Sequence, residues 1–200
     1  MLNDLGIIKN KDLKNYQKKN GFLGVHPDYG SPGIMASTGS LGHGLAMAAG
    51  MALACKNQKK YFYVLLSDGE LQEGQIWEAA IYASAKKVDN IIATIDLNEK
   101  QIDGSTDDVL SLGDLNMKFK SFGWEVINSD KGNNISEIIN SLKDAKSKLG
   151  KGKPVVILMK TEMGNGVDFM MNTHTWHGIA PNDEQLKNAL KQNPETLGDY

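Results

Sequence analysis

Four short apolar runs punctuate the chain, and helical patterns separate them. Tyr61-Phe62-Tyr63-Val64-Leu65-Leu66 stops at Ser67-Asp68-Gly69, and Asn90-Ile91-Ile92-Ala93-Thr94-Ile95-Asp96 repeats the pattern. Trp124-Glu125-Val126-Ile127 and Pro154-Val155-Val156-Ile157-Leu158-Met159 follow. Continuous apolar runs of this length, closed by turn residues, read as strands of a parallel sheet buried on both sides. Leu41 to Cys55, with Leu45, Ala46, Ala48, Ala49, Met51, Ala52 and Leu53, reads as a helix buried on most sides. A second helix is expected from about Glu73 to Lys86. Strands alternating with helices imply crossover units. The fold class is therefore α/β, a mostly parallel sheet with helices on both faces. Residues 1–20 are polar and Lys-rich, with Leu5, Ile7, Ile8 and Leu13 spaced for one short helix. Residues 21–44 are dense in Gly, Pro and His and read as a shaped loop, the kind of segment that tends to be functional. Neither an internal repeat nor a low-complexity linker interrupts the pattern, so residues 1–200 are expected to be a single domain, with 1–20 as its N-terminal segment.

Composition narrows the partners. Hydrophobic residues make up 40% and charged residues 23% of the 200, which suits a folded soluble chain and excludes collagen-like and strongly charged disordered classes. The net charge is -2 and no basic stripe exists, so nucleic acid is not an expected partner. All 22 basic residues counted as Lys or Arg are Lys, which removes every bidentate guanidinium clamp for phosphate. Cys55, the single cysteine, is expected to be a small buried residue on the helix before it. With no apolar stretch of about 18 residues and no basic, apolar leader at the start, the expectation is a cytoplasmic chain without a membrane partner.

In an open parallel sheet, ligands bind beyond the carboxyl ends of the strands. Asp68 and Asn98 each lie just past a predicted strand, thirty residues apart with one helix between them, so their side chains can sit side by side. A carboxylate, an amide oxygen and a backbone carbonyl form a hard oxygen set of low charge, suited to Mg2+ or Ca2+ that also takes oxygens from a diphosphate. Gly69 lets the backbone turn sharply there. The competing reading is that Asp68-Gly69 and Asn98 are ordinary turn residues. Gly39 and Gly42, before an apolar helix, suit an anion cradle of backbone N–H groups, against the plainer reading of Ser37 or Thr38 as an N-cap. His174 and His177 lack a third ligand for zinc.

The segment from Ser67-Asp68-Gly69-Glu70 through Glu73 to Ile95-Asp96-Leu97-Asn98 resembles the thiamine diphosphate motif of transketolases, which opens Gly-Asp-Gly and closes with Asn; Ser67 stands for the first Gly. Matching blocks flank it in order: Gly24-Val25-His26-Pro27, Ser37-Thr38-Gly39-Ser40-Leu41-Gly42, Gln101-Ile102-Asp103-Gly104 and Trp176-His177-Gly178. The likeness covers roughly residues 21–182 and implies a thiamine-diphosphate-binding fold. Carried over, it implies that Asp68, Asn98 and the Lys100 carbonyl hold the metal. Gly69 and Glu70, together with Gly39, Ser40 and Leu41, would line the cofactor. His26 would lie near the reacting carbons, and His177 would meet the diphosphate and help substrate protonation. Glu73 matches a carboxylate at the subunit junction; the bland alternative is a helix-start charge. His43 stands where the family has Gln, and Asn165 departs from the family loop after the last strand; a plain polar contact is expected of His43 and His174.

The resemblance stops short of a whole enzyme. The family's second domain, which binds the pyrimidine, has no counterpart in this sequence, and the part before Gly24 is shorter than the family's. The implied activity is therefore transfer of a two-carbon ketol unit between sugar phosphates, with this chain as the cofactor diphosphate-binding subunit of a split transketolase. Its partner would be a second subunit carrying the pyrimidine-binding domain, in a homo- or hetero-oligomer. The alternatives are a subunit of another thiamine-dependent sugar synthase, or a truncated fragment that serves as a non-catalytic interaction module.

Overall fold

Alternation along the strands sorts their side chains onto two faces, each packed against its own helices except at the edge strand Phe62–Ser67. The computed structural model describes residues 2–193; Met1 and residues 194–200 of the expected domain lie outside the described residues. The described residues divide into two compact units after His43. The first holds one short helix, α1 (Asn10–Leu13), followed by turns and extended backbone. Its helix is a single turn because the apolar positions Leu5, Ile7 and Ile8 precede it instead of recurring along it.

From His43 the elements run in the expected order. They are α2 (His43–Ala54), β1 (Phe62–Ser67), α3 (Gly74–Ala85), β2 (Ile91–Leu97), the two-residue strands β3 (Lys100–Gln101) and β4 (Gly104–Ser105), α4 (Thr106–Leu110), α5 (Leu115–Ser121), β5 (Glu125–Ser129), α6 (Ile135–Lys148), β6 (Val155–Lys160) and α7 (Asp183–Gln192). Turns of 3-10 helix occupy Gly69–Gln72 and His174–His177. The main sheet is parallel throughout, in the order β1-β2-β6-β5. The crossovers β1-α3-β2 and β5-α6-β6 step across it in opposite directions, so right-handed connections put α3 and α6 on opposite faces. On one face Leu66, Ile91, Ala93, Ile95, Val156 and Leu158 pack against α2, α3 and α5. On the other, Ile92, Ile127, Val155, Ile157 and Met159 pack against α6. The reversal of strand order falls between β2 and β6, which marks the crevice beyond their carboxyl ends as the place for a ligand.

Three expectations are corrected. β1 is an edge strand whose second face is open: Tyr63 is 57% and Leu65 74% exposed, because α6 covers only β2, β6 and β5. α2 buries Leu45, Ala48, Ala49 and Ala52 but leaves Ala46, Gly50 and Met51 exposed, so it is covered on one side, not on most. Cys55 lies beyond the last residue of α2 and is half-buried, not a core residue of the helix face. Among the described residues no helix is long and apolar enough to cross a membrane.

Candidate functional site

Strand register brings the two halves of the central motif together. Ser67 on β1 lies opposite Asp96 on β2, and the Asp68 N–H donates to the Asp96 carbonyl at 3.1 Å, so Asp68 prolongs the ladder by one step. Its carboxylate is fully buried. Oδ1 accepts the Gly69 N–H at 2.8 Å, and Oδ2 accepts the N–H of Glu99 across the strand ends. Asn98 Oδ1 accepts the next backbone N–H, that of Lys100, at 2.9 Å. Consecutive amides at 99 and 100 therefore hold one oxygen of Asp68 and the amide oxygen of Asn98 on the same short stretch of backbone. Glu99 takes φ 61° to do this, a left-handed conformation uncommon for a residue with a side chain. Such conformations collect at functional sites.

Burial dominates the electrostatics of Asp68. Burial pushes the Asp68 carboxyl up; the N–H bonds from Glu99 and Gly69 pull it down, and the negative Asp96 beside it pushes it up again. Among the described residues no Lys or His forms an ion pair with Asp68. Both Asp68 and Asn98 keep acceptor capacity beyond the N–H groups they already satisfy. Nor do three His, Cys, Asp or Glu side chains gather as a metal site anywhere among the described residues. A cation at these strand ends would thus be held by carboxylate, amide and backbone oxygens, the donor set of hard divalent ions, and Asp68 and Asn98 fit it.

The flanking residues shape the same edge. Ser67, in place of the first motif Gly, is used: its hydroxyl accepts the Glu70 N–H at 3.1 Å, while Glu70 Oε2 accepts the Ser67 N–H at 3.4 Å, closing the turn. A Cβ on Gly69 would lie 2.9 Å from the Gln101 Cβ, so only Gly lets β3 approach this closely. Trp77 fixes the turn from below by donating its ring N–H to the Leu71 carbonyl at 2.9 Å. Glu73 precedes α3 as its N-cap, makes no side-chain capping bond and is exposed. Lys100 begins β3, which packs against the 3-10 turn His174–His177. His177 and His174 line a cavity of about 390 Å³ with Ile102 and Gly178. Trp176 ties that turn down by donating to the Phe169 carbonyl at 2.9 Å.

His26, Gly39, Ser40 and Leu41 belong to the first unit. Gly39 has φ 124°, and a Cβ there would lie 2.8 Å from the His26 ring, so the glycine is what lets the imidazole sit against this loop. Ser40 Oγ is 3.5 Å from His43 Nε2, a plain polar contact, and Leu41 is 52% exposed.

Two residues given no role by the sequence, Asp96 and Thr161, meet beside Asn98 at the carboxyl ends of β2 and β6. Asp96 accepts hydrogen bonds from Asn98 Nδ2 at 3.3 Å and from the Thr161 hydroxyl just past β6. Their signal in the sequence is position alone, at the carboxyl ends of neighbouring strands. With Asn98, Met159 and Glu162 they line a cavity of about 480 Å³ at the reversal of strand order.

Comparison with known proteins converges on one family. Residues 4–196 match the family described as "Transketolase, thiamine diphosphate binding domain". An apulose-4-phosphate transketolase subunit from Actinobacillus succinogenes is 37% identical over 194 residues, covering 96% of this chain and 69% of the relative. The 6-deoxy-6-sulfo-D-fructose transketolase subunit of a Clostridium species is 40% identical over 162 residues, covering 80% and 58%. The transketolase structure from Campylobacter jejuni superposes with TM-score 0.83 at 32% identity, over 91% of this chain and 29% of its own. The chain thus spans less than a third of that solved chain's length.

Proposed function

Given that this chain belongs to the transketolase family, in its thiamine diphosphate binding domain, we propose that it is the diphosphate-binding half of a split transketolase. The reaction is transfer of a two-carbon ketol unit between sugar phosphates. The observation that carries this reading is the pair of oxygens from Asp68 and Asn98 held by consecutive amides at adjacent strand ends. With the Lys100 carbonyl they would hold Mg2+ or Ca2+, which would supply positive charge for the cofactor's diphosphate. Gly69, Glu70, Gly39, Ser40 and Leu41 line the cofactor. Thiamine diphosphate, when bound, supplies the electron sink for breaking and making a carbon–carbon bond. This chain's part is to bind, orient and exchange protons: His177 meets the diphosphate, and His26 hydrogen-bonds a substrate hydroxyl and shuttles its proton.

Names of the relatives support a two-subunit assembly, since the two of whose own length this chain covers about two thirds, 69% and 68%, are both named as subunits. The partner carries the pyrimidine-binding domain and the guanidinium clamps for sugar phosphates that an Arg-free chain lacks. Glu73, exposed at the start of α3, would lie at the junction with it in a hetero-oligomer, as the family resemblance implies. Sugar choice is assigned to the partner, which would carry the sugar-phosphate clamps. Both structural units fall within one family match, which supports reading them as one domain, and the site of action is the cytoplasm.

Mixing the chain with its partner subunit should yield ketol transfer that depends on thiamine diphosphate and a divalent ion; absence of transfer, with both chains folded and associated, refutes the reading. Within that complex His26→Ala should lower kcat at least tenfold with cofactor affinity nearly unchanged, whereas His177→Ala should weaken the cofactor. Reversal of this split counts against both roles. The metal role also fixes a pH dependence. Because burial raises the Asp68 carboxyl, the stability it contributes is present below the ordinary carboxylate value and lost as pH rises through the raised one. The charge cost left above that pH is what a bound cation removes. Stabilisation by Mg2+ with thiamine diphosphate should therefore grow as pH rises through the Asp68 value, as read from melting temperatures across pH. A constant increment would argue against Asp68 as a ligand.

A further inference from the structure

The amide of Asn98 has two ends, and only its oxygen serves a cation. Two neighbours decide which end faces which way. The Lys100 N–H can only donate, so it faces Oδ1, and the Asp96 carboxylate can only accept, so it faces Nδ2 at 3.3 Å. Asp96 is itself fixed from across the strand-order reversal. The Thr161 hydroxyl donates to its other oxygen, and the Thr161 N–H donates to the Leu97 carbonyl at 3.1 Å, extending the β2–β6 ladder one residue beyond the strand. A chain of directional bonds thus runs from β6 through Thr161 and Asp96 to the Asn98 amide.

We infer that Asp96 and Thr161 are positioning residues for the metal site, locking the Asn98 amide with its oxygen toward the cation. This rests on the metal site proposed above. Asp96 acts through Asn98: one carboxylate oxygen faces the Asn98 amide nitrogen and the other the Thr161 hydroxyl, while its charge adds to the field that holds a divalent ion. Outer partners of metal ligands commonly set about 10- to 100-fold in affinity, and the effect here is expected in that range. Thr161→Val keeps the shape and removes the donor. Asp96→Asn keeps the size, removes the charge and frees the facing amide to turn over.

The test is Mn2+ titration of the chain with its partner subunit at saturating thiamine diphosphate, following free Mn2+ by its electron paramagnetic resonance signal. Asp96→Asn should weaken Mn2+ by about 10- to 100-fold and Thr161→Val by about tenfold, while Thr161→Ser, which restores the hydroxyl, returns to near the parent value. Melting temperatures without metal, measured alongside, should differ little among Thr161→Val, Thr161→Ser and parent. Parent-like Mn2+ affinity in Asp96→Asn and Thr161→Val, with Asp68→Ala still defective, overturns the positioning role alone. Parent-like affinity in Asp68→Ala overturns the metal site beneath it. Loss in Thr161→Val that Thr161→Ser fails to restore, or that tracks a fall in melting temperature, also overturns the inference, since the hydroxyl would then not be the cause.

Discussion

Asp68→Ala is expected to abolish metal-dependent thiamine diphosphate binding, with a loss of about 100-fold or more, because a direct charged ligand should matter at least as much as outer partners that set about 10- to 100-fold. The substitution removes the only carboxylate in the proposed donor set and leaves the Gly69 and Glu99 N–H groups without their acceptor. Glu99 is exposed and Gly69 half-buried, so water can replace the lost acceptor, and the change also removes a desolvated charge beside Asp96; the chain should remain folded. Asp68→Asn separates them, since it keeps an oxygen acceptor and loses the charge. Asn98→Ala should weaken binding less than Asp68→Ala, because a neutral ligand contributes less to holding a dication. Calorimetric titration of the chain with its partner, with Mg2+ and then with chelator, reads all three. Cofactor affinity in Asp68→Ala equal to the parent would refute the ligand role.

Phe119→Ala is expected to cost about 3–5 kcal/mol of folding stability, a large share of the roughly 5–15 kcal/mol of an ordinary domain. Phe119 on α5 is fully buried, with ring centroids 5.4 Å from Trp77 and 5.6 Å from Trp124. Removing the ring leaves a cavity and breaks two aromatic contacts at once. Trp124 keeps its ring N–H bond to the Ala80 carbonyl at 2.9 Å, so both tryptophans lose packing while keeping their polar anchors. Trp77 in turn donates to the Leu71 carbonyl in the turn that follows Asp68, which carries the damage to the candidate site. Urea denaturation should show a lower midpoint, and thiamine diphosphate affinity should fall as well. A stability within about 0.5 kcal/mol of the parent, the scale of an ordinary surface substitution, would contradict this packing account.

The central strands are legible because burial on both faces leaves no other pattern: the runs Asn90 to Asp96 and Pro154 to Met159 fall within a residue of β2 and β6. β1 carries the same apolar signal, yet its odd positions are open. Continuous apolarity reports that a strand needs cover and says nothing of whether this chain supplies it. The exposed stripe on α2 is hidden for the same reason. The hairpin of β3 and β4 has two-residue strands, too short for any period to register. At the site, Asp68 and Asn98 are visible from their spacing, since a crossover unit has a nearly fixed length. The roles of Asp96 and Thr161 are not, because their pairing depends on β6 inserting between β2 and β5, a contact across 65 residues. Nor does any residue type announce the left-handed backbone of Glu99, which the two strand ends impose.

The central claim is that the oxygens of Asp68 and Asn98 grip a divalent ion that in turn grips a diphosphate. Electron nuclear double resonance on the complex with its partner, loaded with Mn2+ and thiamine diphosphate, reads that linkage at the ion itself. The account predicts phosphorus hyperfine coupling in the parent and its disappearance in Asp68→Ala. Bound Mn2+ without phosphorus coupling in the parent, or undiminished coupling in Asp68→Ala, would contradict it.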